Sequence, residues 1–407
     1  MNSKPLDCVV VGGGPAGMML GLLLARAGVE VAVLEKHGDF LRDFRGDTVH
    51  ASTLTLLDEL GLGARFAAMP HRLMERMSLV FGGETATLAD FSLTNSAHKH
   101  IAMVPQWDLL DLLADEARTE PTFHLHMNTA ATDLIVEDGR VAGVRTTAGD
   151  MRARLTVAAD GRHSKLRAGD MEKIEYAVPM DVWWFRLPRA DADVAGGVMT
   201  FNRGHAIVAF DRGDYYQAAY LLPKGKDAEL RAQGLPRFLA IVEDLLPWTR
   251  GRLDTIGGWD DVKFLDVRLN RLKTWHAEGL LAIGDAAHAM SPMGGVGINL
   301  AVQDAVAAAR ILAGPLRRGD VTTDDLAKVQ RRRELPTIVT QDVQRMMHRV
   351  AVEAALSGRL GDNPPAPARV ISRFSFLQRL PAQFVGVGVR PEHIPSYARR
   401  SPATHAA

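Results

Sequence analysis

Three glycines mark where this sequence could do chemistry. Gly12, Gly14 and Gly17 stand in a G-x-G-x-x-G spacing, directly after the apolar run Cys8 to Val11. A helical pattern follows at once, with Met18, Met19, Leu22, Leu23 and Ala25 on one side. Each glycine has its own task in such a turn: Gly12 permits the tight bend, Gly14 lets a pyrophosphate approach the backbone, and Gly17 lets helix pack on strand. The helix start then offers free N–H groups and about half a positive charge to the phosphates. Glu35 closes the next apolar run, Val29 to Leu34, where a carboxylate accepts hydrogen bonds from ribose hydroxyls and repels a 2′-phosphate. These residues point to a dinucleotide of the NAD or FAD type and away from tightly held NADP.

Two further carboxylates sit at strand ends. Val157-Ala158-Ala159-Asp160-Gly161-Arg162-His163-Ser164 reads as a strand running into an Asp-Gly turn. Ala282-Ile283-Gly284-Asp285-Ala286-Ala287-His288 places Asp285 after a buried strand. Pro292 and the run Gly294-Gly295-Val296-Gly297-Ile298-Asn299 then lead into a long helix. Other residues carry less. His124 and His126 fall on one face of a strand but lack an acidic or cysteine partner nearby, so they are read as structural. Arg331, Arg332 and Arg333 are read as the solvated face of a helix. There is no Gly-x-Ser-x-Gly elbow and no P-loop, which leaves hydrolase and kinase chemistry without support.

With its three fingerprints in this order and spacing, the sequence resembles the FAD-dependent aromatic hydroxylases, single-component flavoprotein monooxygenases with the para-hydroxybenzoate hydroxylase fold. The resemblance spans nearly the whole chain. It implies that Asp285 holds a ribityl hydroxyl of non-covalent FAD, and that Gly295, Gly297, Ile298 and Asn299 bring a helix N-terminus to flavin N1 and C2=O. The Asp160-Gly161 turn would serve the pyrophosphate side and a transient NADPH or NADH. Arg45 matches an arginine that reaches the FAD, Gln106 a residue on the ribityl chain, and Ala131 a backbone contact to adenine. Pro15, Ala16, Lys36 and Gly284 complete the cofactor set. Arg45 and Pro292 line the reacting pocket, and no acid or base is assigned. The implied reaction is NAD(P)H- and O2-dependent hydroxylation of a small aromatic compound through a flavin C4a-hydroperoxide. His288, beside Asp285, is read as scaffold near the FAD.

The alternatives are oxidase, epoxidase or Baeyer–Villiger chemistry, halogenation, or a flavoprotein without turnover. Trp183-Trp184-Phe185-Arg186-Leu187-Pro188 nearly matches a halogenase Trp-x-Trp-x-Ile-Pro pattern. However, the lysine that halogenases need has no counterpart between Lys36 and Lys99.

Elements must hold these residues, and 407 residues with 47% hydrophobic content can build two or three domains. The expected fold is α/β with an α+β insertion: a Rossmann-like FAD-binding domain, an inserted antiparallel-sheet substrate domain, and C-terminal helices. The boundaries read are 1–175, with 72–103 contributing to the substrate sheet, then 176–270, 271–360 and 361–407. VMTFN, HAIVAF and YYQAAYLL read as an antiparallel meander, offering Trp183, Trp184, Phe201, Tyr216 and Tyr220 as candidate pocket walls. The helix after the last glycine loop is expected over Asn299 to Ala313, ended by Gly314-Pro315, and the remainder is read as helical with a break at 363–368.

Forty-eight basic and 48 acidic residues balance, which gives no nucleic-acid footprint. A single cysteine, Cys8, excludes internal disulfides and suits a reducing compartment. The N-terminus lacks the order of a signal peptide, and no apolar run of spanning length is read. A cytoplasmic monomer or homodimer is expected.

Overall fold

The computed structural model describes residues 5–41, 48–81, 84–169, 171–190, 193, 197–202, 204–359 and 364–401. Its organising element is a parallel sheet in which Leu6–Val11 lies between Val31–Leu34 and Gly149–Ala158. Phe123–His126 extends it on one side and Leu280–Ala282 on the other. Apolar runs without polar alternation form such strands because helices cover both faces; Cys8, Val9 and Val10 are fully buried. Helix Pro15–Arg26 crosses between the first two strands and packs against helices Gln106–Ala117 and Val296–Arg318. The hairpin Ala131–Glu137 and Arg140–Thr146 turns through Asp138 and Gly139, at φ +48° and +80°. Two successive positive φ angles make the type I′ turn that matches strand twist.

A second sheet runs in the order Lys263–Leu265, Met180–Pro188, Tyr215–Pro223, His205–Asp211, Gly197–Asn202, Arg76–Phe81, Glu84–Asp90. The meander is present as expected. The segment 72–103 divides, however. Arg76–Phe81 joins the meander by parallel pairing with Gly197–Asn202. Arg72–Met74 and Ile101–Met103 instead pair with Thr48–Val49 in a small third sheet. Ile101, Ala102 and Met103 are all buried, so this strand takes a partner on each edge.

Two helical expectations are corrected. The long helix runs Val296–Arg318, straight through Gly314-Pro315. Proline removes only one donor there, and Leu316 behind it is fully buried, so packing carries the last turn. The stop is Gly319 at φ +76°: its N–H donates to Leu316 O (3.0 Å), and Asp320 N–H donates to Pro315 O (3.1 Å), a Schellman closure. This helix, counted from Met293, is long and apolar enough to cross a membrane, yet 78% of its most apolar window is buried within the chain. The second correction concerns the C-terminal stretch. It forms helices Ala366–Arg373 and Ser375–Gly386, but beyond them, among the described residues, only the short turn Ser396–Ala398. Arg26 donates to Ala398 O (2.8 Å) and Tyr397 OH donates to Ala309 O (3.0 Å), so the tail straps the first and last core helices together.

Candidate active site

The glycine turn is built by close approach. A Cβ on Gly12, whose φ is +111°, would stand 2.4 Å from Ala159 O, and one on Gly17 would stand 1.9 Å from Gly12 O. No side chain fits at either position. Gly14 differs: nothing lies within 4 Å of its would-be Cβ. It caps helix Pro15–Arg26 without any side-chain hydrogen bond, with Pro15 in the first turn and Ala16 buried behind it. The first-turn N–H groups therefore face an open shelf of anion-binding character.

Glu35 is fixed beside that shelf. Gly13 N–H donates to its Oε2 (3.2 Å) and His37 N–H to its Oε1 (3.0 Å). Thr129 N–H donates to Glu35 O (2.8 Å) and Asn128 N–H to His37 O (2.9 Å). These bonds bring Ala131, the first residue of its strand, to the same rim as Glu35 and the exposed Lys36. Gln106 opens its helix and is half-buried. Arg45 lies outside the described residues.

Asp160 and Gly161 form the turn at the end of the central strand, with Gly161 at φ +89°. The next residue is not singled out by the sequence. Arg162 Nη2 donates to Asp285 Oδ2 at 3.2 Å, and its Nη1 is buried with no hydrogen-bond partner among the described residues. The only local hint is its place directly after the Asp-Gly turn. Asp285 stands on the short turn Gly284–Ala286. A Cβ on Gly284 would meet Ala16 at 3.3 Å and Ala301 at 3.1 Å, so the turn is wedged between the starts of two helices.

His288 does not pair with Asp285. Its Nε2 meets Asp304 Oδ2 at 2.5 Å, and Arg333 Nε donates to Asp304 Oδ1 at 2.9 Å. Gly284 N–H also donates to Asp304 (3.1 Å), which ties this buried cluster to the Asp285 turn. Burial alone would raise the Asp304 carboxyl, but His288 and Arg333 hold it below the usual range. The reading of His288 as scaffold agrees with this geometry. The solvated face expected for Arg331 to Arg333 is corrected: Arg333 is 1% exposed, on the stripe it shares with Leu326, Val329 and Thr337. Arg332 chelates Glu392 (2.6 and 2.7 Å), and only Arg331 is a plain surface residue, paired with Asp324 (3.2 Å). His124 bonds Glu30, and among the described residues no group of three or more His, Cys, Asp or Glu could hold a metal.

The glycine loop before the long helix is clamped on both sides. Gln344 receives Ser291 N–H (3.1 Å) and donates to Ser291 O (2.9 Å) and Met293 O (3.0 Å), while Ser291 Oγ bonds His348 Nε2 (2.9 Å). From the other side, Thr48 Oγ1 donates to Gly295 O (3.2 Å). Gly295, at φ +64°, caps helix Val296–Arg318 with no side-chain bond, leaving the N–H groups of Val296, Gly297 and Ile298 at its positive end. The Asn299 side chain is engaged elsewhere, accepting from Ser52 (2.9 Å) and Thr53 (2.6 Å). Pro292 is half-buried at the mouth of this loop.

Strand alternation sorts the candidate wall residues. Trp183, Tyr216 and Tyr220 face away from the loop, packed with Phe185 on helix Leu235–Leu245. Trp184 and Phe201 face the other way, in one cluster with Met199, Phe210 and Met293 of the loop itself. Beside them a cavity of about 210 Å³ is lined by Arg72, Leu73, Met74, Met103, Gly197, Phe210 and Asp211. Met103 pairs with both Thr48 and Arg72, so this cavity adjoins the Thr48–Gly295 contact.

Three comparisons with known proteins bear on this geometry. Residues 6–342 match the family model for the FAD binding domain. The 6-methylpretetramide 4-monooxygenase of Streptomyces rimosus is 33% identical over 384 residues, covering 90% of this chain and 89% of that protein. The para-nitrophenol 4-monooxygenase of a Pseudomonas strain is 24% identical over 341 residues, 80% of this chain and 82% of its own length. Among solved structures, PqsL of Pseudomonas aeruginosa superposes with a TM-score of 0.74 at 21% identity, covering 88% of this chain and 98% of that one. On the family match and the 33% identical relative, the chain belongs to the FAD-dependent aromatic hydroxylase family and is an FAD-dependent monooxygenase.

Proposed function

We propose that this enzyme hydroxylates a small aromatic compound with NADPH or NADH as reductant and O2 as oxidant. In balance, a ring C–H, O2, NAD(P)H and a proton give a ring C–OH, water and NAD(P)+. The carrying observation is the clamped loop Pro292 to Gly295, which ends in a positive helix terminus and packs its Met293 on the same cluster as Trp184, Phe201 and Phe210.

The residues present fit FAD. The shelf at Gly14 has room for a pyrophosphate, and the buried, unpartnered Nη1 of Arg162 awaits an acceptor beside Asp285. In this reading Gly12, Gly14, Pro15, Ala16 and Gly17 hold the pyrophosphate. Glu35 takes the ribose, with Lys36 near and Ala131 at the adenine. Gln106 and Asp285 hold the ribityl chain, supported by Gly284 and Arg162. Gly295, Gly297, Ile298 and Asn299 hold the pyrimidine edge of the flavin, and the Asp160-Gly161 turn meets the nicotinamide. Arg45 joins this set by family resemblance. When bound, the flavin takes a hydride from the nicotinamide and transfers one oxygen atom from O2 to the ring.

The protein's own part is orientation and exclusion of water. The N–H groups opening helix Val296–Arg318 stabilise negative charge on a reduced ring system. Met293, Trp184 and Phe210 keep the reacting face dry. Gln344 and Thr48 hold the loop at a fixed distance from that face.

Screening phenols, anilines and hydroxyquinolines for stimulated NAD(P)H oxidation, with mass spectrometry of products, tests the reaction. A gain of one oxygen is expected; incorporation of halide, or loss of hydrogen alone, would overturn it. Under anaerobic stopped-flow, flavin reduction should be slow alone and accelerate with an aromatic ligand. Reduction that is fast from the outset and indifferent to every ligand counts against this reading.

The ligand contacts predict a ranking as well. Asp285→Ala should weaken FAD binding by roughly 10- to 150-fold, the loss of one charge-assisted bond worth about 1.5–3 kcal/mol. It also strands Arg162. Asp160→Ala should cost less, since that turn acts partly through backbone shape. Equal FAD dissociation constants for the two variants would contradict the assignment.

A further inference from the structure

Helices Ala366–Arg373 and Ser375–Gly386 are inverted in their packing. Their inner positions are small: Ala368, Ala382 and Gly386 are buried against strand Glu84–Asp90 and Phe91. A Cβ on Gly386 would stand 3.1 Å from the Phe91 ring, so a larger residue there would have to push the ring aside. Four of the large apolar residues point outward, while Ile371, Leu377, Phe384 and Val385 are half-buried. Val370 is 49% exposed, Phe374 45%, Phe376 69% and Leu380 70%. A packed helix ordinarily buries such residues, and a contiguous exposed group of them marks a contact surface. The arrangement is rigid: Ser372 Oγ accepts from Thr87 N–H (3.1 Å), and Gln378 Nε2 donates to Ser372 O (3.0 Å), locking the corner between the helices.

The charge carried by these two helices is one-sided. Across residues 363–391 there is no Asp or Glu, while Arg369, Arg373, Arg379 and Arg390 fall within them. The chain as a whole is balanced, at 48 basic and 48 acidic residues, so this is a local field. Arg369, Arg373 and Arg379 are exposed on the same two helices as the apolar group. Apolar and aromatic tips flanked by arginine, on helices lying along the surface, are the make-up of an interfacial anchor.

We infer that this helix pair docks the enzyme on an anionic phospholipid surface, with Phe376 and Leu380 entering the headgroup boundary and the arginines meeting lipid phosphates. A second copy of the chain is a poorer occupant. A two-fold contact through this face would set each arginine cluster against its own duplicate. A lipid surface offers the opposite charge and an apolar layer behind it. This inference is independent of the substrate assigned above.

Co-sedimentation of the FAD-loaded full-length enzyme with vesicles tests it. Vesicles of phosphatidylcholine containing about one-third phosphatidylglycerol should bind about tenfold or more enzyme than pure phosphatidylcholine, with the difference lost at high salt. The double variant F376S/L380S should bind about tenfold less while retaining its FAD and melting temperature, because both side chains are exposed. The triple variant R369Q/R373Q/R379Q should bind both vesicle types equally. Equal binding of the unaltered enzyme to both vesicle types overturns the inference. So does unchanged binding by F376S/L380S. A dimer in solution that this variant dissociates, without vesicle binding, overturns it in favour of self-association, and capture of an acidic protein without vesicle binding does so in favour of a protein partner.

Discussion

Lowering the pH from 6.5 to 4 should destabilise the folded enzyme by about 5 kcal/mol through two histidines alone. The cause is two buried imidazoles. Burial lowers His50 to about 4, although Val385 O and Gly295 O partly oppose the shift, and burial likewise lowers His348 to about 4. Both are neutral in the fold, while in the unfolded chain each takes a proton near pH 6.5. The unfolded state therefore binds more protons in this window, and stability falls as pH falls, by about 2–3 kcal/mol per histidine. Well above pH 6.5 neither contributes. His100, His126, His205 and His276 are also lowered by burial and act in the same direction.

Position gives this loss a functional reading. His348 bonds Ser291 in the loop clamp, and His50 Nδ1 bonds Val385 O at 2.6 Å beside Gly295. Protonation thus acts first on the two sides of the glycine loop, and FAD release should track unfolding in acid. Urea unfolding at a series of pH values measures the slope, which should approach two protons or more. His348→Asn should remove about one of them. A stability that stays level from pH 6.5 to 5 would falsify this account.

Asp304→Ala should cost about 3–5 kcal/mol and take FAD retention with it, because the residue accepts from Gly284 N–H in the candidate cofactor turn. Asp304 is fully buried and is the shared acceptor for His288, Arg333 and Gly284 N–H. Its removal leaves an unpaired imidazole and a buried guanidinium whose remaining carboxylate, Glu392, stands 3.7 Å away and is shared with Arg332, and a buried charge short of its partner is what makes such deletions expensive. The Asp285 turn then loses the bond to Gly284 that orients it. Asp304→Asn, which keeps the shape and one acceptor, should fall between the two. Urea midpoints and the fraction of flavin retained after gel filtration measure both effects. An alanine variant within about 1 kcal/mol of the unaltered enzyme would show that the cluster is not a structural keystone.

The parts of the site legible in the sequence are those whose geometry is settled by neighbours along the chain. The Gly12-Gly14-Gly17 turn, Glu35 one strand later, and Asp285 before its glycine loop each depend on a few consecutive residues, and their types announce the backbone they need. The parallel core was legible for the same reason, as uninterrupted apolar runs separated by a helical period. What the tertiary structure alone decided are pairings across long separations. Arg162 finds Asp285 from 123 residues away, and Arg333 finds Asp304 from 29. On composition Arg333 belongs to a solvated run; a buried carboxylate makes it core. Likewise, Trp183 and Trp184 are adjacent and chemically identical, yet strand register sends one to the outer core and the other to the cluster that Met293 of the glycine loop joins. A shift of one residue would exchange them, and the partner strands on both edges, Tyr215–Pro223 and Lys263–Leu265, fix which is which. Helix Val296–Arg318 crosses Pro315 on the same principle: local propensity argued for a stop, and the burial of Leu316 outweighed it.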